Sequence, residues 1–264
     1  MQTKNVNGIE LALVDRGTGP AVMLVHGFPL DHTMWNAQID ALSREYRVIA
    51  PDLRGFGQSE VTRGIVTMER MADDLAALLD ALQIAEPIVL CGLSMGGYVA
   101  FAFQRKYAAR LRGLILCDTR AASDTAEAAA GRREMADRVL REGPAPLVET
   151  MMPKLFAQGT VDEHPEVVES LRRVMLGTDP RGIAAAARGM AERPDATGNL
   201  GEIGCLTLVL VGRLDALTTP AEMIEIANAV PGAEFIDIPG AGHMSPMEKP
   251  AEVTAAIAEF LARV

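Results

Sequence analysis

The hexapeptide Gly92-Leu93-Ser94-Met95-Gly96-Gly97 sets a serine among small residues where two apolar runs meet. Ile88 to Cys91, before it, has the short continuous apolar character of a buried strand, and Tyr98 to Tyr107, after it, reads as a helix. A nucleophile on a sharp strand-to-helix turn needs glycine neighbours, because the strained backbone comes too close to adjacent elements for side chains to fit. The helix N-terminus behind Ser94 favours negative charge developing nearby. Gly-x-Ser-x-Gly alone is a modest motif, but between strand and helix it marks a serine nucleophile for acyl transfer. The alternative is a tight turn that contains serine by chance.

A serine hydroxyl is a poor nucleophile without a base. The candidates are His26, His32, His164 and His243. His243 lies in the glycine-rich stretch Pro239-Gly240-Ala241-Gly242-His243-Met244, a loop after the last strand that can present a side chain at the sheet's C-terminal edge. The orienting acid is assigned to Asp215, in Gly212-Arg213-Leu214-Asp215 after the strand Leu206 to Val211. The chain order Ser94, Asp215, His243 is the one expected of this type of triad. Asp118, ending the strand Leu114 to Cys117, competes for the role, with loop capping as its alternative. For the oxyanion, the Met95 N–H follows the nucleophile, and a second donor is expected from His26-Gly27-Phe28-Pro29. Phe28 is the candidate, since Pro29 has no N–H. His26 is read as ordering that loop.

Among the elements around these residues, Asn7-Gly8 is a hairpin signal before the alternating stretch Ile9 to Val14. Buried strands are expected at Ala21 to Val25, Arg47 to Ala50, Ile88 to Cys91, Leu114 to Cys117 and Leu206 to Val211, with a more polar one at Glu234 to Ile238. Thr67 is a helix N-cap before Met68, Met71, Leu75, Leu78 and Leu82, and Pro250 starts a helix with Val253, Ile257, Phe260, Leu261 and Val264 on one face. Strands alternating with helices imply an α/β fold with a mostly parallel sheet covered on both sides. From about Ala122 to Pro194 no convincing strand occurs, and the punctuated segment reads as several helices. The expected organisation is an α/β core over 1–121 and 195–264, with a helical cap over 122–194.

Composition excludes other classes. The 264 residues carry 25 Lys+Arg against 35 Asp+Glu, a net charge of −10, with 49% hydrophobic and 23% charged residues. The cap nearly balances, so the acidity lies mainly on the core and reads as solubility. An acidic surface argues against a nucleic-acid partner. No apolar run approaches the roughly 20 residues that span a bilayer, and Met1-Gln2-Thr3-Lys4-Asn5 is not the apolar start of a signal peptide. Cys91, Cys117 and Cys205 all fall in apolar runs that read as buried strands, which argues against a disulfide framework and a zinc site. The expectation is a cytoplasmic protein without membrane partner, metal or organic cofactor, able to form a homo-oligomer.

Taken together, the Gly-x-Ser-x-Gly turn, the Ser94–Asp215–His243 order and the His-Gly-Phe-Pro loop resemble the α/β-hydrolase superfamily over nearly the whole chain. Asp52-Leu53-Arg54-Gly55-Phe56-Gly57-Gln58-Ser59 matches the family's Asp-x-Arg-Gly-x-Gly-x-Ser loop, read as structural, with Arg54 and Asp52 ordering it. The resemblance implies an eight-stranded, mostly parallel sheet with the cap inserted after strand six. It is nearest to small bacterial carboxylesterases, oxoadipate enol-lactonases and cofactor-free haloperoxidases. Haloalkane dehalogenases and soluble epoxide hydrolases use an aspartate nucleophile, so Ser94 argues against both.

The implied chemistry is hydrolysis of a small-molecule ester or lactone. A C–C hydrolase or perhydrolase with the same triad, or a silent hydrolase-like binding protein, are the competing readings. Substrate choice is expected in the cap, among Met135, Leu140, Leu147, Met151, Met152, Leu155, Phe156 and Met175, with Met151, Met152 and Phe156 as pocket candidates. The alternative is that these residues pack cap onto core. An anionic lactone requires a cation, for which Lys154, Arg172 and Arg173 are candidates. Trp35 reads as core, His32 as solvated or at the pocket mouth, His164 as cap surface, and Glu248-Lys249 as a solvated loop.

Overall fold

A computed structural model describes residues 1–264. Asn7 and Gly8 both take positive φ, 48° and 77°, as the hairpin turn between β1 (Gln2–Val6) and β2 (Ile9–Arg16) demands. Six further strands follow: β3 (Ala21–Val25), β4 (Arg47–Pro51), β5 (Ile88–Leu93), β6 (Leu111–Cys117), β7 (Leu206–Gly212) and β8 (Glu234–Ile238). They form one sheet in the order β1-β2-β4-β3-β5-β6-β7-β8. The first two strands run antiparallel to their neighbours and all other pairs are parallel. Strand β6 starts at Leu111, earlier than its apolar run suggests, because pairing with β5 continues through Gly113.

Helices cover both faces. They are α1 (Asn36–Leu42), α2 (Met68–Ala81), α3 (Met95–Tyr107), α4 (Ala126–Glu142), α5 (Ala145–Leu155), α6 (Gln158–Glu163), α7 (Pro165–Gly177), α8 (Pro180–Met190), α9 (Pro220–Ala229), α10 (Ser245–Glu248) and α11 (Pro250–Leu261). Side-chain alternation along the strands creates two cores. Met23, Val25, Leu90 and Leu114 face α2 and α3, while Val22, Leu24, Val89 and Ile115 face α1 and α11. The Thr67 hydroxyl accepts the Arg70 N–H at 3.1 Å and starts α2, whose Met68, Met71, Leu75 and Leu78 are buried. Val253, Ile257, Phe260 and Leu261 bury α11 in the second core. No helix is long and apolar enough to cross a membrane.

Helices α4 to α8 fall between β6 and β7. They form a roof in which α4 packs on α8 and α5 on α7. Cys91 and Cys117 are buried thiols with Sγ atoms 3.8 Å apart on adjacent strands. Cys205 departs from the expectation of a buried strand position: it is half-buried and just precedes β7.

Candidate active site

The parallel register brings the ends of five strands to one edge. Val25 lies beside Gly92, Leu93 beside Cys117, Cys117 beside Leu210, and Gly212 beside Ile238. The loops leaving those ends carry Phe28, Ser94, Asp118, Asp215 and His243.

Ser94 has φ 53° and ψ −112°, a backbone that costs a non-glycine residue of order 1–3 kcal/mol. Its N–H donates to the Cys117 carbonyl at 3.0 Å, and its carbonyl accepts from the Gly97 N–H at 2.9 Å and the Thr119 hydroxyl at 2.7 Å. A Cβ on Gly92 would stand 2.3 Å from the Gly96 carbonyl oxygen, and one on Gly96 would stand 2.3 Å from that of Val25. Those glycines are therefore steric requirements of the turn. The helix behind it starts at Met95, three residues before the apolar run that announces it.

His243 and Asp215 are both buried, and Nδ1 of the histidine lies 2.8 Å from Oδ2 of the aspartate. Asp215 also accepts from the Leu217 N–H at 2.7 Å, the Thr218 N–H at 3.1 Å and the Thr218 hydroxyl at 2.5 Å. Burial alone would raise the Asp215 carboxyl. The contacts from His243 and Thr218 outweigh it and hold the group below the usual carboxylate range. An ionised Asp215 fixes the proton on Nδ1 and leaves Nε2 as the basic nitrogen. Ser94 and His243 line one cavity of about 460 Å³.

Asp118 does not reach His243. Its Oδ1 accepts the Gly212 N–H at 2.7 Å and its Oδ2 meets the Ser245 hydroxyl at 2.5 Å. Burial, with repulsion from Asp215, pushes its carboxyl well above the ordinary range. The Phe28 and Met95 N–H groups are taken by no carbonyl or side chain. Met95 is the first residue of α3, whose opening N–H groups lie outside the helical ladder. This arrangement can attack a carbonyl, hold the imidazole tautomer and receive an oxyanion.

The cavity's outer wall is α4 and α5. Met135, Leu147 and Met151 line it, together with Tyr98, Met190 and Leu217, which the sequence does not single out. Met152 and Phe156 do not line it, contrary to expectation. Both are buried in the second core among Val148, Leu155 and Met244. One helical step rotates about 100°, so Met151 and its neighbour cannot both face the cavity. Lys154, Arg120 and Arg132 also line the cavity, and no carboxylate does. Arg120 is paired with Glu222 and Arg132 with Asp124, while Lys154 pairs with nothing. Arg172 and Arg173 are not on this wall; Arg172 pairs with Glu149.

Two of the other histidines are structural. His26 donates from Nδ1 to the Gly27 carbonyl at 2.8 Å and accepts the Leu53 N–H on Nε2 at 2.9 Å, so it is a neutral loop tie, and burial lowers its basicity. His32 is neither solvated nor at the pocket mouth. It is buried, with Nδ1 2.7 Å from Asp52. Burial works against its charge, but contact with Asp52 outweighs it and raises its pKa. His164 is exposed and Trp35 is core, as expected.

Asp31, His32 and Asp52 place possible metal ligands within 4.8 Å of one another. Their atoms are already engaged: Asp52 accepts from the His32 and Gln58 N–H groups, and Asp31 from the Thr33 N–H. Arg54 orders its loop through a buried two-point contact with Asp74 of α2, at 2.7 Å each. Glu248 is not a solvated loop residue. It is 5% exposed and accepts the Ala157 N–H at 2.8 Å, the Thr160 hydroxyl at 2.7 Å and the Gly242 N–H at 2.8 Å.

A sequence profile of the alpha/beta hydrolase family matches residues 22–257. A solved thermophilic esterase from Thermogutta terrifontis, with malate bound, is 55% identical, with a TM-score of 0.99 over 100% of this chain and 99% of that one. The enol-lactonase structure from Burkholderia xenovorans is 31% identical, with a TM-score of 0.92 over 99% of this chain and 100% of that one. In sequence, 3-oxoadipate enol-lactonase 1 of Acinetobacter baylyi is 29% identical over 88% of this chain and 84% of its own.

Proposed function

The chain belongs to the alpha/beta hydrolase family, and we propose that within it the protein is a serine hydrolase of carboxylic esters. Ser94 Oγ attacks the ester carbonyl while Nε2 of His243 takes its proton. Asp215 holds the imidazole and stabilises the imidazolium. The Phe28 and Met95 N–H groups receive the oxyanion. His243 then gives its proton to the leaving alcohol and activates the water that cleaves the acyl-enzyme. The observation that carries this reading is the contact of Asp215 with His243 Nδ1 at 2.8 Å, with Ser94 on the same cavity. The likeness to the Thermogutta esterase supports it. We keep a cytoplasmic location as part of this proposal.

A second reading, hydrolysis of an anionic enol-lactone, is favoured by Lys154, an uncommitted cation on a wall without carboxylates. The likeness to two enol-lactonases agrees with it. Purified protein assayed on p-nitrophenyl butyrate and on a lactone panel separates the two. Ser94→Ala is expected to lower turnover by about 10⁶-fold and to abolish labelling by a fluorophosphonate. Near-wild-type hydrolysis by Ser94→Ala, or no labelling of the wild type, would sink the assignment.

A further inference from the structure

The cavity holding Ser94 and His243 borders another concavity. A second depression of about 530 Å³ lies along the outer face of α4 and α5, and the two share Gly131, Met135, Leu147 and Thr150 as walls. The residues common to both make the shared border of the two depressions, the neck of the groove. We propose that the outer groove is a subsite for the distal chain of an elongated ester, and that Gly131 keeps the neck open. The proposal rests on the esterase reading and names its substrate class: esters with an uncharged linear arm that outruns the inner cavity.

Gly131 carries the argument. It sits in the interior of α4, where glycine is the weakest helix former except proline. Two of the usual reasons for a helical glycine fail. Its φ is not positive, and no heavy atom lies within 4 Å of where its Cβ would be. Gly182 of α8 shows the contrast, since a Cβ there would stand 1.9 Å from the Gly55 carbonyl oxygen. Gly131 is exposed, so a side chain there would enter the open space at this border, where Thr150 of α5 is also exposed.

The groove beyond suits an alkyl chain. Its floor includes Met135, Val139 and Leu147. On its rim, Asp137 is paired with Arg188 and Arg138 with Glu142, while Glu134 and Arg141 carry their charges into solvent. From Gly131 to Arg138 the helix advances roughly 10 Å, which sets the length of chain the groove can cover. An alkyl arm laid there gains the transfer of its methylenes out of water.

The test compares kcat/KM for p-nitrophenyl decanoate and p-nitrophenyl butyrate. Wild type is expected to hydrolyse both. Gly131→Phe should lower the decanoate-to-butyrate ratio at least tenfold, chiefly through KM for decanoate. Thr150→Trp, blocking the neck from the facing helix, should do the same and guards against misfolding of the first variant. Gly198→Phe, at an open surface position away from both grooves, should move the ratio less than twofold. Equal losses on both esters in the two neck variants would overturn the subsite, as would a wild type inactive on decanoate. Absence of Ser94-dependent butyrate hydrolysis would overturn the functional reading itself, and the subsite with it.

Discussion

Replacing Glu248 tests how the turn bearing His243 is held. The carboxylate accepts from two buried backbone N–H groups, Ala157 at the entry to α6 and Gly242 beside the histidine, and from the Thr160 hydroxyl. In Glu248→Ala the hydroxyl can turn elsewhere, but both N–H groups lose their acceptor. Each costs about 1–3 kcal/mol when buried and unpaired. Removing a buried carboxylate returns part of that, leaving a net loss of about 2–4 kcal/mol. For a chain of this size the Tm should fall by roughly 5–10 °C. Loosening the turn by 1 Å should lower kcat by up to about 10²-fold, with a smaller change in KM. Glu248→Gln is informative because each carboxylate oxygen faces a different N–H and an amide has only one oxygen. It should fall between wild type and Ala in both Tm and kcat.

The pH dependence gives a second handle. Burial holds the Glu248 carboxyl above the ordinary glutamate range despite its donors. A carboxyl raised on folding contributes stability that is complete below its unfolded value, about 4.3, and is lost as pH rises through the folded value. The Tm gap between wild type and Glu248→Gln should therefore be widest near pH 4 and narrow toward neutrality. Differential scanning calorimetry across that range, with ester hydrolysis on the same samples, reads both effects. A gap that widens with pH would show that the three donors outweigh burial. Wild-type Tm and kcat in Glu248→Gln would refute the positioning argument.

Other expectations follow from neighbouring contacts. Asp118→Asn should keep most activity, because an amide can accept from Gly212 and donate to Ser245, whereas Asp215→Asn should cost about 10⁴-fold in kcat; equal losses in steady-state assays would return the acid role to Asp118. Asp74→Ala strands the buried Arg54 guanidinium and should cost about 3–5 kcal/mol in urea unfolding; a loss under 1 kcal/mol would mean water reaches the arginine. Met152→Ala should cost about 2–5 kcal/mol with an unaltered chain-length profile. Met151→Ala should alter the profile at little cost in stability, and the reverse pattern would put the cavity wall on the other methionine.

What could be read from the sequence was local. The Ser94 turn announces itself because strand, glycines and helix are contiguous, and the order of strands and glycine loops leads from it to Asp215 and His243. Thr218 was legible in principle, as a hydroxyl three residues past the acid that can fold back on it. The contacts of Ser245 and Glu248 were not, since their partners are 127 and up to 91 residues away. A carboxylate before a lysine and a proline carries no local mark of burial. Met151 and Met152 show the limit of composition: adjacent methionines on a helix point about 100° apart, and only the packed helix decides which one meets the cavity. His32 carries no local mark of burial for the same reason, because Asp52, which engages it, comes from the next strand's loop.

The roof is also more than a detachable selector of substrate. The Met244 N–H donates to the Leu155 carbonyl at the end of α5, at 3.0 Å. Glu248 joins Gly242 to Ala157 and Thr160 at the start of α6. The segment 155–160 is thus hydrogen-bonded to both sides of His243, and it continues α5, which lines the cavity through Met151. A change that repacks α5 to admit a different ester therefore acts on the turn that carries the base. Substrate choice and base geometry are coupled through these bonds, and variants of the inner wall are expected to move kcat together with KM. Gly131 borders the neck from α4, which takes no part in these bonds, so a substitution at that position is expected to alter substrate length with the base left undisturbed.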